Sequence, residues 1–179
     1  MALTSKKDFW VARTVGSTVP DERGIYGIRM TDAKKLPDTF DILLSDRKHR
    51  TIYVGIASKS LKERLNQELR GKGHGTFFRS IGAILGFRPE RGSLREKKNK
   101  RNYKFKPEDQ TKIIKWIDDN LEIKWVPLGG ELKDIEKKAI HKIQPLLNIQ
   151  NNPKALRELK ELRAECVGTA SEPRIEKGH

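Results

Sequence analysis

The chain has 179 residues and carries 38 Lys and Arg against 24 Asp and Glu, a formal net charge of +14. It is long enough for one domain, and its 35% hydrophobic residues recur with regular periods, which excludes a fully disordered chain. It contains no apolar run of membrane-spanning length and no signal-peptide core, so we expect a cytoplasmic protein without a membrane partner. The single cysteine, Cys166, excludes an internal disulfide and a cysteine-based metal site.

The first half of the chain predicts two strands and three helices. Strands are expected over 24–28 and 51–56, separated by an excursion, 31–50, that holds a short helix around 40–44. Ser60 can cap a helix over 60–70, in which Leu61, Leu65 and Leu69 share one face. A glycine-rich break follows, and a second helix is expected over 76–85 with Arg79 on its polar face.

The second half begins with a strongly basic stretch. Residues 88–104 contain eight basic residues against Glu90 and Glu96, and we expect an exposed loop that attracts phosphate backbones. Pro107 then opens a helix, and 122–126 alternates like a strand. Helices are expected over 131–144 and 153–166, before a tail, 171–179, that frays.

The predicted organisation is one domain with short extensions. Residues 1–22 form an N-terminal arm, and residues 23–150 form the domain, which includes the basic loop 87–105. Residues 151–168 form a C-terminal helix packed on the domain, and residues 169–179 form a flexible tail.

Glu136 is an anomaly in the helix over 131–144. It lies about 40° from Leu132 on the helical wheel, within the apolar stripe. A carboxylate on a core-facing side is unfavourable unless it is paired, metal-bound or open to a cleft. Two interpretations fit: a salt bridge, for example to Arg64, or a ligand for a hard divalent cation such as Mg²⁺.

Both predicted strands carry a tyrosine whose face also holds a glycine two residues away. Tyr26 shares its face with Gly24, and Tyr53 shares its face with Gly55. Each glycine leaves a bare patch where a ligand or a backbone can approach the phenol, although ordinary half-buried strand tyrosines give the same pattern.

Five elements in order resemble the signature of the GIY-YIG nuclease superfamily. Gly24-Ile25-Tyr26 and Tyr53-Val54-Gly55 match its two tripeptides, and Arg64 and Glu136 follow on later helices. Glu136 is followed by Pro145-Leu146-Leu147-Asn148, which is similar to the Glu…Pro-x-x-Asn ending of the family. The resemblance therefore extends from residue 24 to residue 148.

This resemblance implies an α/β (α+β) fold with a small, three-stranded, largely antiparallel sheet flanked by helices. It also implies endonuclease activity that depends on one divalent ion, Mg²⁺ or Mn²⁺, held by Glu136, with no small-molecule cofactor. Tyr26 and Tyr53 would orient and deprotonate the attacking water, one of them as general base. Arg64 would neutralise charge on the scissile phosphate, and Asn148 would hydrogen-bond near the site.

Two features depart from the family pattern. The interval between Tyr26 and Tyr53 is longer than in compact members, so the excursion 31–50 is expected to loop out from the sheet. Several members carry His or Tyr one turn after the arginine, where this chain has Glu68. Glu68 is a possible acid/base group or could quench Arg64, and His74 in the glycine-rich loop is a second candidate for acid/base chemistry.

Nucleic acid is the expected partner, with DNA as the substrate and RNA as the alternative. Arg79 lies in a stretch that resembles Ser/Thr-Phe-x-Arg-Ser of a bacterial subgroup, and it is expected to contact a phosphate. The basic loop, with Tyr103 beside it, is expected to follow a strand through Lys97, Lys98, Lys100 and Arg101. The competing function is a nucleic-acid-binding module that keeps this fold without cutting.

Overall fold

The computed structural model describes residue 3, residues 8–32 and residues 34–173. Within these residues the strands form one antiparallel sheet in the order β1-β4-β2-β3: β1 (Trp10–Val11), β2 (Gly24–Met30), β3 (Thr51–Ala57) and β4 (Leu121–Pro127). The helices are α1 (Val15–Thr18), α2 (Asp38–Ser45), α3 (Leu61–Arg70), α4 (Thr76–Ile84), α5 (Pro107–Asn120), α6 (Leu132–Ile143) and α7 (Arg157–Ser171). No helix in this part of the chain has the length and apolar character needed to span a bilayer.

The α/β class and the antiparallel sheet are confirmed, but the sheet has a fourth strand where the sequence predicts three. β1 pairs with the outer side of β4, with Trp10 opposite Ile123 and Val11 opposite Glu122. A strand of two residues is too short for an alternating pattern to reveal it. Part of the predicted N-terminal arm is thus built into the sheet, while residues 1, 2 and 4–7 lie outside the described residues.

The sheet separates two hydrophobic clusters. The larger one lies on the face that carries Tyr26 and Ile28, and helices α3, α4 and α5 contribute to it. The smaller one lies on the opposite face, where Ile140 of α6 packs with Ile25 and Val54. Because β3 is an edge strand, helices from both faces reach its free edge.

The excursion between β2 and β3 contains the predicted short helix as α2, and it packs against the core. Phe40 and Leu44 are buried in the larger cluster. Arg47 donates hydrogen bonds to the carbonyl oxygens of Gln144 and, at 2.6 Å, of Lys154. His49 Nε2 lies 2.7 Å from the carbonyl oxygen of Ile143, so the excursion satisfies carbonyls at the end of α6 that the helix itself leaves unpaired.

The predicted polar face of α4 is wrong. Residues 77–84 are all buried, and Arg79 has only 7% of its surface exposed. The reason is that α4 is surrounded, since it contacts α3, α5 and α7. A glycine starts this helix because a Cβ atom at Gly75 would collide with the backbone of Gln67.

The last helix begins later and ends later than the sequence predicts. It spans Arg157–Ser171. It begins later because the amide of Lys154 donates to Asn152 Oδ1, which holds residues 152–154 in a turn. Residues 174–179 of the predicted tail lie outside the described residues.

The basic stretch is a loop as predicted, but parts of it are anchored. Leu94, Tyr103 and Phe105 are buried, so Tyr103 is not the exposed ring that the sequence predicts beside a bound strand. Arg88 pairs with Glu165 of α7 at 3.0 Å, which ties the start of the loop to the last helix.

The register of β2 and β3 explains one glycine of the tyrosine–glycine pattern. Tyr26 pairs with Gly55, and the Tyr26 ring fills the space that the missing side chain leaves. A Cβ atom at Gly55 would lie 2.6 Å from Tyr26 Cζ. The bare patch predicted at Gly55 is therefore occupied by the phenol of Tyr26, which brings the two tyrosine rings to a centroid distance of 6.3 Å.

Replacing Gly55 with alanine is expected to destabilise the protein by about 1–3 kcal/mol, because the added methyl group overpacks the Tyr26 ring. Urea unfolding measures the change. Gly16→Ala in α1 is the control, since a Cβ atom there meets nothing within 4 Å. Equal stability of the two variants would contradict the role assigned to Gly55.

Candidate active site

A cleft of about 700 Å³ lies beside the free edge of β3. Tyr53 of β3, Glu136 of α6 and Asn148 of the following loop line it. Thr76 and Arg79 of α4 line it from the other side of the sheet. The remaining predicted groups, Tyr26, Arg64 and Glu68, form a connected cluster next to Tyr53.

Glu68 is the centre of that cluster and is fully buried. Its Oε1 accepts a hydrogen bond from the Tyr26 hydroxyl at 3.3 Å and forms an ion pair with Arg64. Its Oε2 accepts from the backbone amide of Phe77 at 2.7 Å, in the first turn of α4. One carboxylate thus joins β2, α3 and α4.

Arg64 is the cation of the cluster, and 27% of its side chain is exposed. Burial alone would lower its pKa, but Tyr26 and Glu68 outweigh burial, and the pKa lies above the ordinary value. The guanidinium therefore stays charged while it acts on both tyrosines and on Glu136. Its ion pair is with Glu68, so the salt bridge to Glu136 that the sequence allowed does not form.

Both phenols have pKa values raised above that of free tyrosine. Burial is the main cause for Tyr26 and Tyr53, and the charge of Glu68 adds to it. The positive charge of Arg64 acts in the opposite direction on each. The two differ in access, because Tyr53 lines the cleft whereas Tyr26 has no exposed surface.

Glu136 is half-buried at the cleft wall. Among the described residues it makes neither a hydrogen bond nor an ion pair. Burial raises the pKa of its carboxyl, Arg64 lowers it, and Glu68 raises it again. No group of three or more His, Cys, Asp and Glu that could hold a metal occurs in the described part of the chain.

Asn148 holds the loop after α6 against the edge strand. Its Oδ1 accepts from the Val54 amide at 2.9 Å, and its Nδ2 donates to the Val54 carbonyl at 2.8 Å. The Leu147 amide donates to the Ile52 carbonyl at 2.7 Å. These bonds fix both neighbours of Tyr53 in the edge strand.

The other predicted residues lie in the basic loop and in the glycine-rich loop. Arg101 lines the cleft, whereas Lys97, Lys98 and Lys100 are exposed residues outside its lining. His74 is exposed in its glycine-rich loop and bonds to none of the site residues described here.

The sequence analysis missed two basic residues on α7. Lys160 and Arg163 both line the cleft. By the same rule of about 100° per residue that singled out Glu136, Arg163 lies about 40° from buried Leu159 on the helical wheel, between Ala170 at about 20° and Val167 at about 80°, and so within the apolar stripe. Applying that rule to the last helix would have found it.

The comparisons with known proteins give one result. The family model described as the GIY-YIG catalytic domain matches residues 24–165. No curated protein and no solved structure matches the chain.

The two glutamates of the site are expected to differ in their effect on stability. Glu68→Ala should destabilise the protein by about 2–4 kcal/mol, because it leaves buried donors of Tyr26, Phe77 and Arg64 without their acceptor. Glu136→Ala should change stability by less than about 1 kcal/mol, since no protein group depends on it. Urea unfolding in EDTA measures both, and a comparable loss in both variants would reveal a structural role for Glu136.

Proposed function

The chain belongs to the GIY-YIG catalytic-domain family, a family of nucleases that act on nucleic acid, and from that premise we propose a divalent-metal-dependent endonuclease that hydrolyses phosphodiester bonds in DNA. The observation that carries the proposal is Glu136, a half-buried carboxylate that neither hydrogen-bonds nor pairs with any residue the structure describes, on the wall of the cleft that Tyr53 also lines. We further propose that the protein acts in the cytoplasm, where the lone thiol of Cys166 stays reduced.

The residues of the cleft fit one ion of Mg²⁺ or Mn²⁺. Mg²⁺ keeps several water ligands and is commonly bound through one or two carboxylates together with phosphate oxygens of the substrate. Glu136 supplies one such carboxylate, and the raised pKa of its carboxyl reflects a site where a cation would stabilise the charged form. When bound, the ion would activate a water molecule and stabilise charge on the phosphate.

Tyr53 is the phenol placed to handle the attacking water. It lines the cleft, whereas Tyr26 is fully buried and hydrogen-bonded to Glu68. A phenol with a raised pKa holds its proton, so Tyr53 can act as general base only when cationic charge beside it lowers that pKa. Arg64 contributes in that direction. We assign Tyr53 as the general base and Tyr26 as a residue that positions Glu68 and Arg64.

Arg64 is assigned to the scissile phosphate. Its guanidinium is held by Glu68 and also bonds Gln67 Oε1 at 3.0 Å, so its position is fixed before substrate arrives. A preorganised cation of this kind stabilises the charge that develops on phosphate oxygens without reorganisation during the reaction.

The competing function is a binding module that does not cut, and Glu68 in place of His or Tyr is the feature that favours it. In the structure Glu68 binds Tyr26, Arg64 and the amide of Phe77, so its carboxylate holds the cluster together. Tyr53 and Glu136 remain at the cleft. The arrangement therefore favours the nuclease. Binding without cleavage by the wild type under every metal condition below would favour the module instead.

Glu136→Ala is expected to lower cleavage at least 100-fold while leaving the fold intact, because the substitution removes the proposed metal ligand. The assay uses supercoiled plasmid and single-stranded DNA with Mg²⁺, Mn²⁺ or EDTA, and the wild type should cut only with metal. Asp134→Ala, an exposed carboxylate on the same helix, is the control and should keep full activity. A Glu136→Ala variant that still cuts would exclude the metal-ligand role.

Tyr53→Phe is expected to lower kcat about 10²–10⁴-fold, the usual contribution of a general base, without a large change in stability. Tyr26→Phe should have a smaller effect on kcat and should lower stability by about 1 kcal/mol, because it removes a buried hydrogen bond to Glu68. Single-turnover cleavage and urea unfolding give the two measurements. If Tyr26→Phe proves the more damaging to kcat, the assignment of the base must be reversed.

A further inference from the structure

Arg79 carries a buried charge that forms no ion pair within the described part of the chain. Its Nη1 donates to Asn102 Oδ1 at 2.7 Å, and its guanidinium carbon lies 5.9 Å from the centre of the Tyr103 ring. Its Nε is buried and has no hydrogen-bond partner among the described residues. Unpaired buried donors are rare in native proteins, and an unpaired donor on a cation is more costly still.

Arg163 adds a second cation to the same wall of the cleft. It donates to Ser80 Oγ at 3.0 Å and to the Thr76 carbonyl at 3.5 Å. Burial is the main cause that lowers the pKa of Arg79, and the charge of Arg163 lowers it further, whereas Tyr103 and Glu68 act in the opposite direction without restoring the ordinary value. No carboxylate in the described part of the chain forms an ion pair with either arginine, and Lys160 lines the same cleft. Such an arrangement is complementary to an anion.

The rest of the lining indicates what carries that anion. Ile149, Ala164 and Val167 supply apolar surface within the same space. A nucleotide presents both a charged phosphate and an apolar base face, and these are the two kinds of surface that the cleft offers.

We propose that Arg79 and Arg163 form a phosphate subsite for an unpaired strand, whose neighbouring base lies on the apolar part of the cleft. The proposal rests on the proposed function, since it places this strand beside Tyr53 and Glu136. A space of about 700 Å³ is of the size that encloses a ligand such as one nucleotide, and a base whose face lies on side chains there is no longer stacked in a double helix. The substrate class is therefore single-stranded or locally unpaired nucleic acid.

The test measures binding of a fluorescent 12-nucleotide single strand, and of the corresponding duplex, by anisotropy across a series of NaCl concentrations in EDTA. Arg163→Met should weaken single-strand binding roughly tenfold. It should also reduce the slope of log K against log[NaCl] by about 0.7, the contribution of one phosphate contact on a single strand. Arg163→Lys retains the charge and should retain most of the slope.

One further variant is a control, and another replaces Arg163→Met if that variant does not fold. Arg157→Met removes an exposed basic residue of the same helix, outside the cleft lining, and should leave both slope and affinity unchanged. Arg163→Gln is read instead if Arg163→Met fails to unfold cooperatively in urea. Unchanged single-strand binding in the cleft variant that folds would overturn the subsite, and wild-type affinity for the duplex equal to that for the single strand would overturn the unpaired strand.

The outcome is independent of cleavage, because EDTA prevents the metal-dependent reaction. Loss of binding in Arg163→Met together with a wild type that never cuts would uphold the subsite and overturn the nuclease. Normal binding in that variant together with cleavage that needs Glu136 would uphold the nuclease and overturn the subsite.

Discussion

The buried carboxylate of Glu68 is the contact on which the site depends. It accepts from the Tyr26 hydroxyl and the Phe77 amide and pairs with Arg64, so strand β2, the start of α4 and the cation on α3 share one acceptor. A buried carboxylate is unfavourable unless its oxygens are satisfied, and here three donors satisfy them. Because Glu68 neutralises Arg64, the arginine is held rigidly without recruiting Glu136.

Because Arg64 pairs with Glu68, the carboxylate of Glu136 forms no ion pair with a described residue. Glu136 projects from α6, whose end is fixed independently of the cluster: Arg47 and His49 bind its last carbonyls, and Asn148 ties the following loop to Val54. The helix is therefore placed by contacts that do not use the carboxylate. Residues in active sites commonly reduce stability, and under the proposed function Glu136, a half-buried acid that pairs with no described residue, is an example.

Much of this arrangement could be predicted from the sequence, because the signals are local. The helices α3 and α6 follow from their apolar periods, and Glu136 stands out because it interrupts such a period. The pairing of Tyr26 with Gly55 could not be predicted, since it depends on strand register, which lies outside any one segment. The face of Arg79 was predicted wrongly for a related reason: a helix packed on several sides buries even its charged residue, and packing of that kind involves α7, far away in sequence.

Glu136 and Arg163 are both charged residues that lie inside the apolar stripe of a helix. Each occupies the same angular position in its helix relative to the apolar stripe, each lines the cleft, and their charges are opposite. A charged residue inside an apolar stripe must end against a partner, a ligand or an opening. The stripes of α6 and α7 pack into different clusters on opposite faces of the sheet, yet the two exceptions line one space. The convergence gives the cleft an acidic wall beside Tyr53 and a basic wall beside Arg79, and this asymmetry suits a phosphodiester whose reacting group and neighbouring phosphate need different surroundings.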